Sequence, residues 1–140
     1  MSKSGPIIIV EDDQDDKELF EEITREIGIE NELIWFDNAI DVFEYLETTR
    51  DLPFLIFSDV NMPRQNGFEF KKKIDTDPVL RRKSIPFVFF TTSVSQHDVD
   101  EAYKTMTVQG FFIKGHNYND MKLLLKSIYY YWANCRHPNV

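Results

Sequence analysis

Short apolar runs alternate along this chain with longer segments whose apolar residues recur every three or four positions. The run at 7–10 is followed at once by Glu11, and the run at 54–57 leads through Ser58 into Asp59. Brief apolar runs bounded by polar residues are typical of buried strands, and the longer spacing is typical of helices. Strands that alternate with helices form a parallel sheet covered by helices on both faces. The sequence therefore predicts an α/β protein.

The alternation predicts five strand–helix units in succession. Strands are expected at 7–11, 32–36, 54–58, 86–90 and 111–113, and the helices that follow them at 14–27, 39–46, 68–74, 99–106 and 121–132. Asp13 is expected to cap the first helix and Gly28 to end it, whereas residues 78–85 are expected to be a polar loop. The predicted fold is a flavodoxin-like, doubly wound five-stranded parallel sheet in the order 2-1-3-4-5, with five helices.

Length and cysteine content fit one domain in a reducing compartment. The 140 residues are expected to form a single domain at 6–135, between a loose N-terminus at 1–5 and a C-terminal tail at 136–140. The one cysteine, Cys135, cannot form an internal disulfide. No apolar stretch approaches the roughly 20 residues that cross a membrane, and we recognise no signal peptide. We therefore expect a soluble, cytoplasmic protein with no membrane partner.

The charge of the chain argues against a nucleic-acid partner. Its formal net charge is −8 at pH 7, whereas phosphate backbones are bound by basic surfaces. Two short basic runs, at 71–73 and 81–83, are interpreted as a solvated helix face and part of a loop.

Polar side chains follow four of the predicted strands. Glu11 and Asp12 follow the first, Asp59 the third, Thr91 the fourth and Lys114 the fifth. The carboxyl ends of the strands meet at one edge of such a sheet, so these side chains are expected to form one site. Carboxylates suit Mg²⁺, and an aspartate can attack phosphorus to form an aspartyl phosphate. A metal, a lysine and a hydroxyl would then neutralise the oxygens of the transferred group.

Motifs at these strand ends resemble those of one protein family. They are Val-Glu-Asp-Asp at 10–13, Ser-Asp-Val-Asn-Met-Pro at 58–63 with Gly-Phe at 67–68, the segment 86–93, and Phe-Phe-Ile-Lys at 111–114. With them the chain resembles the receiver domains of two-component response regulators, from about residue 7 to residue 132. A Tyr-Trp pair at 131–132 makes it similar in particular to single-domain receivers associated with phytochromes. The domain at 6–135 is then a receiver domain.

The resemblance implies a phosphoacceptor and a metal site. Asp59 would accept a phosphoryl group from a phosphohistidine of a sensor histidine kinase or a phosphotransfer protein. Asp12, Asp59 and the backbone carbonyl of Asn61 would bind Mg²⁺ directly, and Glu11 would bind it through water. The protein would be a signalling domain that catalyses its own phosphoryl transfer and dephosphorylation, not an enzyme with a separate substrate.

The resemblance also assigns a switch and an output. Thr91 and Lys114 would contact the phosphoryl oxygens, and Thr91 would act with the aromatic residue Phe111 as the switch. Because we recognise no DNA-binding or enzymatic output domain in the chain, the output is expected to be a contact with a downstream protein, a relay step or a homodimer.

The chain departs from the family pattern in three ways. Gly115 follows Lys114 where the family usually has a proline, often with a cis bond, so Lys114 must be oriented in another way. Phe111 has no hydroxyl, so no hydrogen bond of its side chain can report a rotamer change. Thr107 and Val108 replace a Gly-Ala pair, with about one extra residue.

Three other functions compete with this interpretation. A Mg²⁺-dependent phosphatase of the dehalogenase type would need an aspartate at the position of Asn61. A flavodoxin-like cofactor-binding protein would need a phosphate loop after the first strand, where the acidic residues 11–13 would repel phosphate. The third alternative is a receiver that serves as an interaction module and is not phosphorylated.

Overall fold

One parallel sheet of five strands, in the order β2-β1-β3-β4-β5, forms the centre of the molecule. The computed structural model describes residues 2–62, 65–92, 94–115, 117–136 and 138. The strands are β1 (Ile7–Val10), β2 (Leu33–Phe36), β3 (Leu55–Ser58), β4 (Phe87–Thr91) and β5 (Phe111–Ile113). The helices are α1 (Gln14–Ile27), α2 (Ala39–Thr48), α3 (Gly67–Thr76), α4 (Pro78–Lys83), α5 (Gln96–Thr105) and α6 (Tyr118–Asn134), after a 3-10 turn at Ser2–Ser4. The predicted fold class and strand order are confirmed, with one short helix more than expected.

Helix α1 begins and ends where its sequence signals predict. The side chain of Asp13 accepts hydrogen bonds from the backbone N–H groups of Asp15 and Asp16, so it is the N-terminal cap. Gly28 ends the helix in the left-handed conformation, with φ of 99°, which a residue without Cβ adopts at little cost. Both predictions about this helix are confirmed. The cap fixes the first turn of α1 beside the carboxyl end of β1.

Two apolar layers cover the faces of the sheet. Successive strand residues point to opposite faces, so Ile7 and Ile9 pack toward α1 and α6, while Ile8 and Val10 pack toward α2 and α3. All four residues of β1 are buried, as expected for a strand between two helical layers. In the layer between α1 and α6, the buried hydroxyls of Thr24 and Tyr129 share a hydrogen bond of 2.9 Å.

The segment predicted to be a polar loop contains helix α4 instead. Asp77 accepts hydrogen bonds from the N–H groups of Val79 and Leu80, and Pro78 occupies the first turn, where its missing N–H is no loss. Leu80 is buried against the core. The basic run at 81–83 lies at the carboxyl end of this helix, where positive charge is favourable. The cap and the single apolar anchor explain why a mostly polar segment is helical.

The basic run at 71–73 is not uniformly solvated either. Lys72 and Lys73 are exposed, but Lys71 is buried. Its Nζ donates to Asp75 at 2.9 Å and lies 5.0 Å from the centre of the Phe87 ring. Asp75 also accepts hydrogen bonds from the backbone N–H and the hydroxyl of Thr107, at 3.1 and 2.8 Å. Asp75 therefore pairs with Lys71 within α3 and ties that helix, through Thr107, to the segment between α5 and β5.

The two ends of the described chain lie close together. Asn31 donates to the backbone carbonyls of Lys3 and Gly5, and Lys3 donates to the carbonyl of Ala133 near the end of α6. No helix within the described ranges is long and apolar enough to span a bilayer.

Candidate functional site

The strand ends bring together four of the side chains that the sequence singles out. Parallel pairing places Val10 beside Ser58 and Thr91 beside Ile113. The next residues continue the pattern, since Asp59 donates its N–H to the carbonyl of Val10 at 3.0 Å and Lys114 donates its N–H to that of Thr91 at 2.7 Å. Pairing at this edge of the sheet thus fixes the backbone positions of four site residues: Glu11, Asp59, Thr91 and Lys114.

Asp59 lies at the centre of the site and is 7% exposed. Its Oδ1 accepts hydrogen bonds from the hydroxyl of Thr91 at 2.7 Å and from the backbone N–H of Asn61 at 3.1 Å. Its Oδ2 accepts one from Nζ of Lys114 at 3.2 Å. Gly67 makes room for this loop, because a Cβ there would lie 2.3 Å from the carbonyl oxygen of Asp59.

Lys114 makes three contacts with carboxylates. Its Nζ donates to Glu11, to Asp16 at 2.9 Å and to Asp59 at 3.2 Å. An ammonium group has three donors, so each carboxylate receives one. Burial by itself would lower the pKa of Lys114, but the hydrogen bonds and charges of these carboxylates outweigh burial and raise it. Lys114 is therefore charged throughout the physiological range.

The two buried carboxylates of the site differ in their affinity for protons. Burial raises the pKa of Glu11 to about 7, although Lys114 opposes that shift. For Asp59, burial also favours the neutral form, but the charge of Lys114 and the hydrogen bond from Thr91 outweigh it, and the pKa is lowered. Asp59 is therefore the carboxylate of the pair that stays ionised, as a nucleophile must.

The remaining predicted metal ligands are Asp12 and Asn61, and both are exposed. Asp12 borders an adjoining acidic hollow of about 370 Å³, which Glu11, Asp37 and Asp41 also line. Within the described ranges, no three acidic, histidine or cysteine side chains stand close enough together to hold a metal ion, and Lys114 supplies the positive charge between Glu11 and Asp59. The oxygen chemistry of this donor set nevertheless suits a hard divalent cation.

Of the two predicted switch residues, Thr91 belongs to the site and Phe111 begins the neighbouring strand β5. Thr91 is completely buried, and its hydroxyl points toward Asp59. Phe111 is half-buried, with its ring centre 5.1 Å from that of Phe89 and 6.0 Å from that of Phe68. The switch role of Thr91 and Phe111 stays a prediction. Pro63 and Ser93, which belong to the motifs, lie outside the described residues.

Asp16 is the site residue that sequence reasoning missed. Asp16 lies three residues after the cap Asp13, a spacing that is typical of helix starts, so the local sequence does not mark it as a site residue. The signal that could have located it is its position on the first turn of a helix that begins four residues after Val10. That turn faces the same edge of the sheet as Lys114.

Comparisons with known proteins agree with this geometry. The sequence model of the response regulator receiver domain matches residues 7–126. The response regulator Rcp1 of Synechocystis sp. is 30% identical over 131 residues, which cover 90% of this chain and 87% of Rcp1. The chemotaxis protein CheY1 of Helicobacter pylori is 27% identical over 108 residues, covering 77% of this chain and 83% of the relative.

Solved structures extend the likeness to three dimensions. A crystal structure of the Mn²⁺-bound form of Rcp1, 30% identical, has a TM-score of 0.81 and covers 96% of this chain and 99% of that chain. The phosphorylated cyanobacterial phytochrome response regulator RcpA, 26% identical, has a TM-score of 0.83, with coverage of 96% and 98%. The likeness to phytochrome-associated regulators that the Tyr-Trp pair at 131–132 predicts is confirmed, which leaves no support for the phosphatase and flavodoxin-like alternatives.

Proposed function

Because this chain belongs to the response regulator receiver family, we propose that Asp59 accepts a phosphoryl group from a phosphohistidine. The donor would be a sensor histidine kinase or a histidine phosphotransfer protein. The observation that carries the proposal is the set of donors around Asp59, where Thr91 and Lys114 contact opposite oxygens of one buried carboxylate.

The contacts suggest how the transfer proceeds. Oδ1 of Asp59 accepts hydrogen bonds from Thr91 at 2.7 Å and Asn61 at 3.1 Å, whereas the contact of Oδ2 with Lys114 is longer, at 3.2 Å. Oδ2 is therefore proposed as the oxygen that attacks phosphorus. A new O–P bond forms as the N–P bond of the phosphohistidine breaks, and the imidazole leaves. Lys114 and Thr91 then donate to oxygens of the transferred group and offset its negative charge.

We further propose that the reaction depends on Mg²⁺. Asp12, Asp59 and the carbonyl of Asn61 would hold the ion, with Glu11 binding through water. When bound, the ion supplies positive charge beside the oxygens of the phosphoryl group. The oxygen donor set and the Mn²⁺-bound form of the similar protein Rcp1 support this assignment.

The output of the protein is proposed to be a change in a protein-binding surface. A phosphoryl group adds roughly −1.5 to −2 charges and strong acceptor oxygens at Asp59. Thr91 would turn its hydroxyl toward that group, and Phe111 would settle further against Phe89 and Phe68. A downstream protein or a second copy of the chain would recognise the altered surface around β5.

Replacement of the phosphoacceptor tests the proposal directly. We expect Asp59→Asn to abolish labelling by acetyl phosphate, because an amide cannot attack phosphorus, and we expect removal of Mg²⁺ with a chelator to abolish it in the wild type. Asp13→Asn is the matched control, since asparagine also caps helices and Asp13 does not contact Asp59. Labelling is followed by mass spectrometry. Undiminished label on Asp59→Asn, mapped to another residue, would refute the assignment, and an unlabelled wild type would favour the unphosphorylated interaction module.

A further inference from the structure

The ammonium group of Lys114 is held by carboxylates from three different elements. Glu11 follows β1, Asp59 follows β3 and Asp16 belongs to α1. The contact with Asp16, at 2.9 Å, is shorter than the contact with Asp59, at 3.2 Å. Asp16 therefore holds Lys114 at least as closely as Asp59 does, although Asp16 is not among the residues proposed to bind the metal or the phosphoryl group.

Something other than a proline must orient Lys114 in this protein. Gly115 follows it, and the described residues contain no cis peptide bond. The backbone of Lys114 is fixed by its hydrogen bond to Thr91, but four flexible carbon atoms separate that backbone from the ammonium group. The position of Nζ is consequently decided by what Nζ contacts.

Of the three carboxylates, Asp16 is the one whose surroundings change least during the proposed reaction. Asp59 becomes phosphorylated, and Glu11 is proposed to take part in metal binding. Asp16 lies on a helix whose first turn is fixed by the Asp13 cap, and its side chain is 30% exposed. Asp16 can therefore keep its bond to Lys114 while Lys114 exchanges its other partners for phosphoryl oxygens.

We propose that Asp16 is a positioning residue that holds the ammonium group of Lys114 in place for phosphoryl transfer to Asp59. Asp16 does not touch the phosphoryl group and acts only through Lys114. The expected effect on the rate of phosphoryl transfer rests on the proposed function. The contact between Asp16 and Lys114 is independent of it.

The matched control is the neighbouring acid Asp15. It lies on the same turn, its backbone N–H donates to the same cap, and its side chain is exposed. Asp15→Asn and Asp16→Asn remove the same charge from nearly the same place. We expect the maximal rate of phosphorylation by acetyl phosphate at saturating Mg²⁺ to fall about tenfold in Asp16→Asn, the usual effect of losing one charged hydrogen bond. Asp15→Asn should stay within about twofold of the wild type, as expected of an exposed charge.

Two further readouts separate positioning from general stability. The concentration of acetyl phosphate that gives half the maximal rate should stay unchanged in Asp16→Asn, because the loss concerns the transfer step. Asp16→Glu, which restores a carboxylate on the same turn, should recover part of the rate. Equal maximal rates in Asp16→Asn and Asp15→Asn, or no recovery in Asp16→Glu, would overturn the proposal.

A spectroscopic measurement tests the contact without phosphorylation. In protein labelled with ¹⁵N-lysine, the Nζ signal of Lys114 should be resolved and should exchange slowly in the wild type and in Asp15→Asn, and it should broaden or shift in Asp16→Asn. A wild-type protein that shows this pattern of Nζ signals but is not phosphorylated by acetyl phosphate would refute the proposed function and leave the contact between Asp16 and Lys114 intact. An Nζ signal that is the same in all three proteins would refute the contact itself.

Discussion

Gly115 lies where the chain turns from the site into α6. A Cβ at this position would be 2.7 Å from the backbone N of Met121 and 2.9 Å from the backbone C of Asp120. Those atoms belong to the first turns of α6, so they cannot yield as a flexible side chain would. Gly28 is constrained in a different way. Its φ of 99° disfavours residues with a side chain, although no atom lies within 4 Å of where a Cβ would be.

Replacing these two glycines should therefore have different consequences. Gly115→Ala must push α6 and the Lys114 loop apart, which we expect to cost about 1–3 kcal/mol and to slow phosphorylation by acetyl phosphate. Gly28→Ala should cost about 1–2 kcal/mol through its left-handed backbone, with no change in that rate. Urea denaturation gives the free energies of unfolding. An unchanged phosphorylation rate in Gly115→Ala would show that the close approach does not position Lys114.

Helix α3 contains the ion pair of Lys71 and Asp75, and Asp75 also joins the helix to the segment after α5 through two hydrogen bonds from Thr107. Burial opposes ionisation of Asp75, but Lys71 and the two hydrogen bonds from Thr107 outweigh it and lower the pKa below its ordinary value of 3.8. A carboxyl group whose pKa is lower in the folded chain stabilises the fold above the unfolded pKa. That contribution is lost as the pH falls through the lower, folded-state pKa.

The pH dependence of stability tests this ion pair. Asp75→Asn leaves the buried ammonium of Lys71 without a counter-charge, so we expect a loss of about 2–3 kcal/mol at pH 7. The difference from the wild type should shrink below about pH 4, where the wild type loses the same contribution. Asp100→Asn, at an exposed position on α5, should change stability by less than about 0.5 kcal/mol at either pH. Urea denaturation between pH 7 and pH 3 measures all three proteins, and a difference that does not depend on pH would contradict the assignment.

At this scale the sequence predicts regular elements well and local exceptions poorly. Asp13 and Gly28 give the bounds of α1, because caps depend on neighbouring residues only. Helix α4 was missed because one buried residue, Leu80, stabilises a segment that is otherwise polar. The buried position of Lys71 and the contact of Asp16 involve side chains distant in sequence, Phe87 and Lys114 respectively. No local pattern contains that information.

Over the whole molecule, burial is uneven around the sheet. Helix α6 buries five residues, including Tyr129 and Trp132, whereas α5 buries only Ala102 among its described residues. Elements with few buried contacts open and move more readily. We therefore expect α5 and β5 to move more readily than the other elements when Thr91 changes its contacts.

Binding of a phosphoryl analogue should reveal this asymmetry. We expect beryllofluoride to change the NMR shifts of Thr91, Phe111 and the α5 amides, while the amides of α1 beyond its first turn change little. The reason is that Thr91 contacts Asp59 and ends β4, the strand that precedes α5, whereas most of α1 is fixed by the layer around Phe20 and Tyr129. If the NMR shifts of Thr91 and Phe111 do not change while beryllofluoride occupies Asp59, the proposed coupling between Asp59 and these two residues is ruled out.

The contact between Lys3 and Ala133 has a practical consequence. It lies at the edge of the sheet where the strands begin, and the site lies at the opposite edge, where they end. Joining the two ends through a short linker and opening the chain in an exposed loop would give a circular permutant with the same sheet and an undisturbed site. Fluorescent reporters attached near Lys3 or Ala133 would likewise stay about one strand length from Asp59, so phosphorylation could be followed in living cells without blocking the donor.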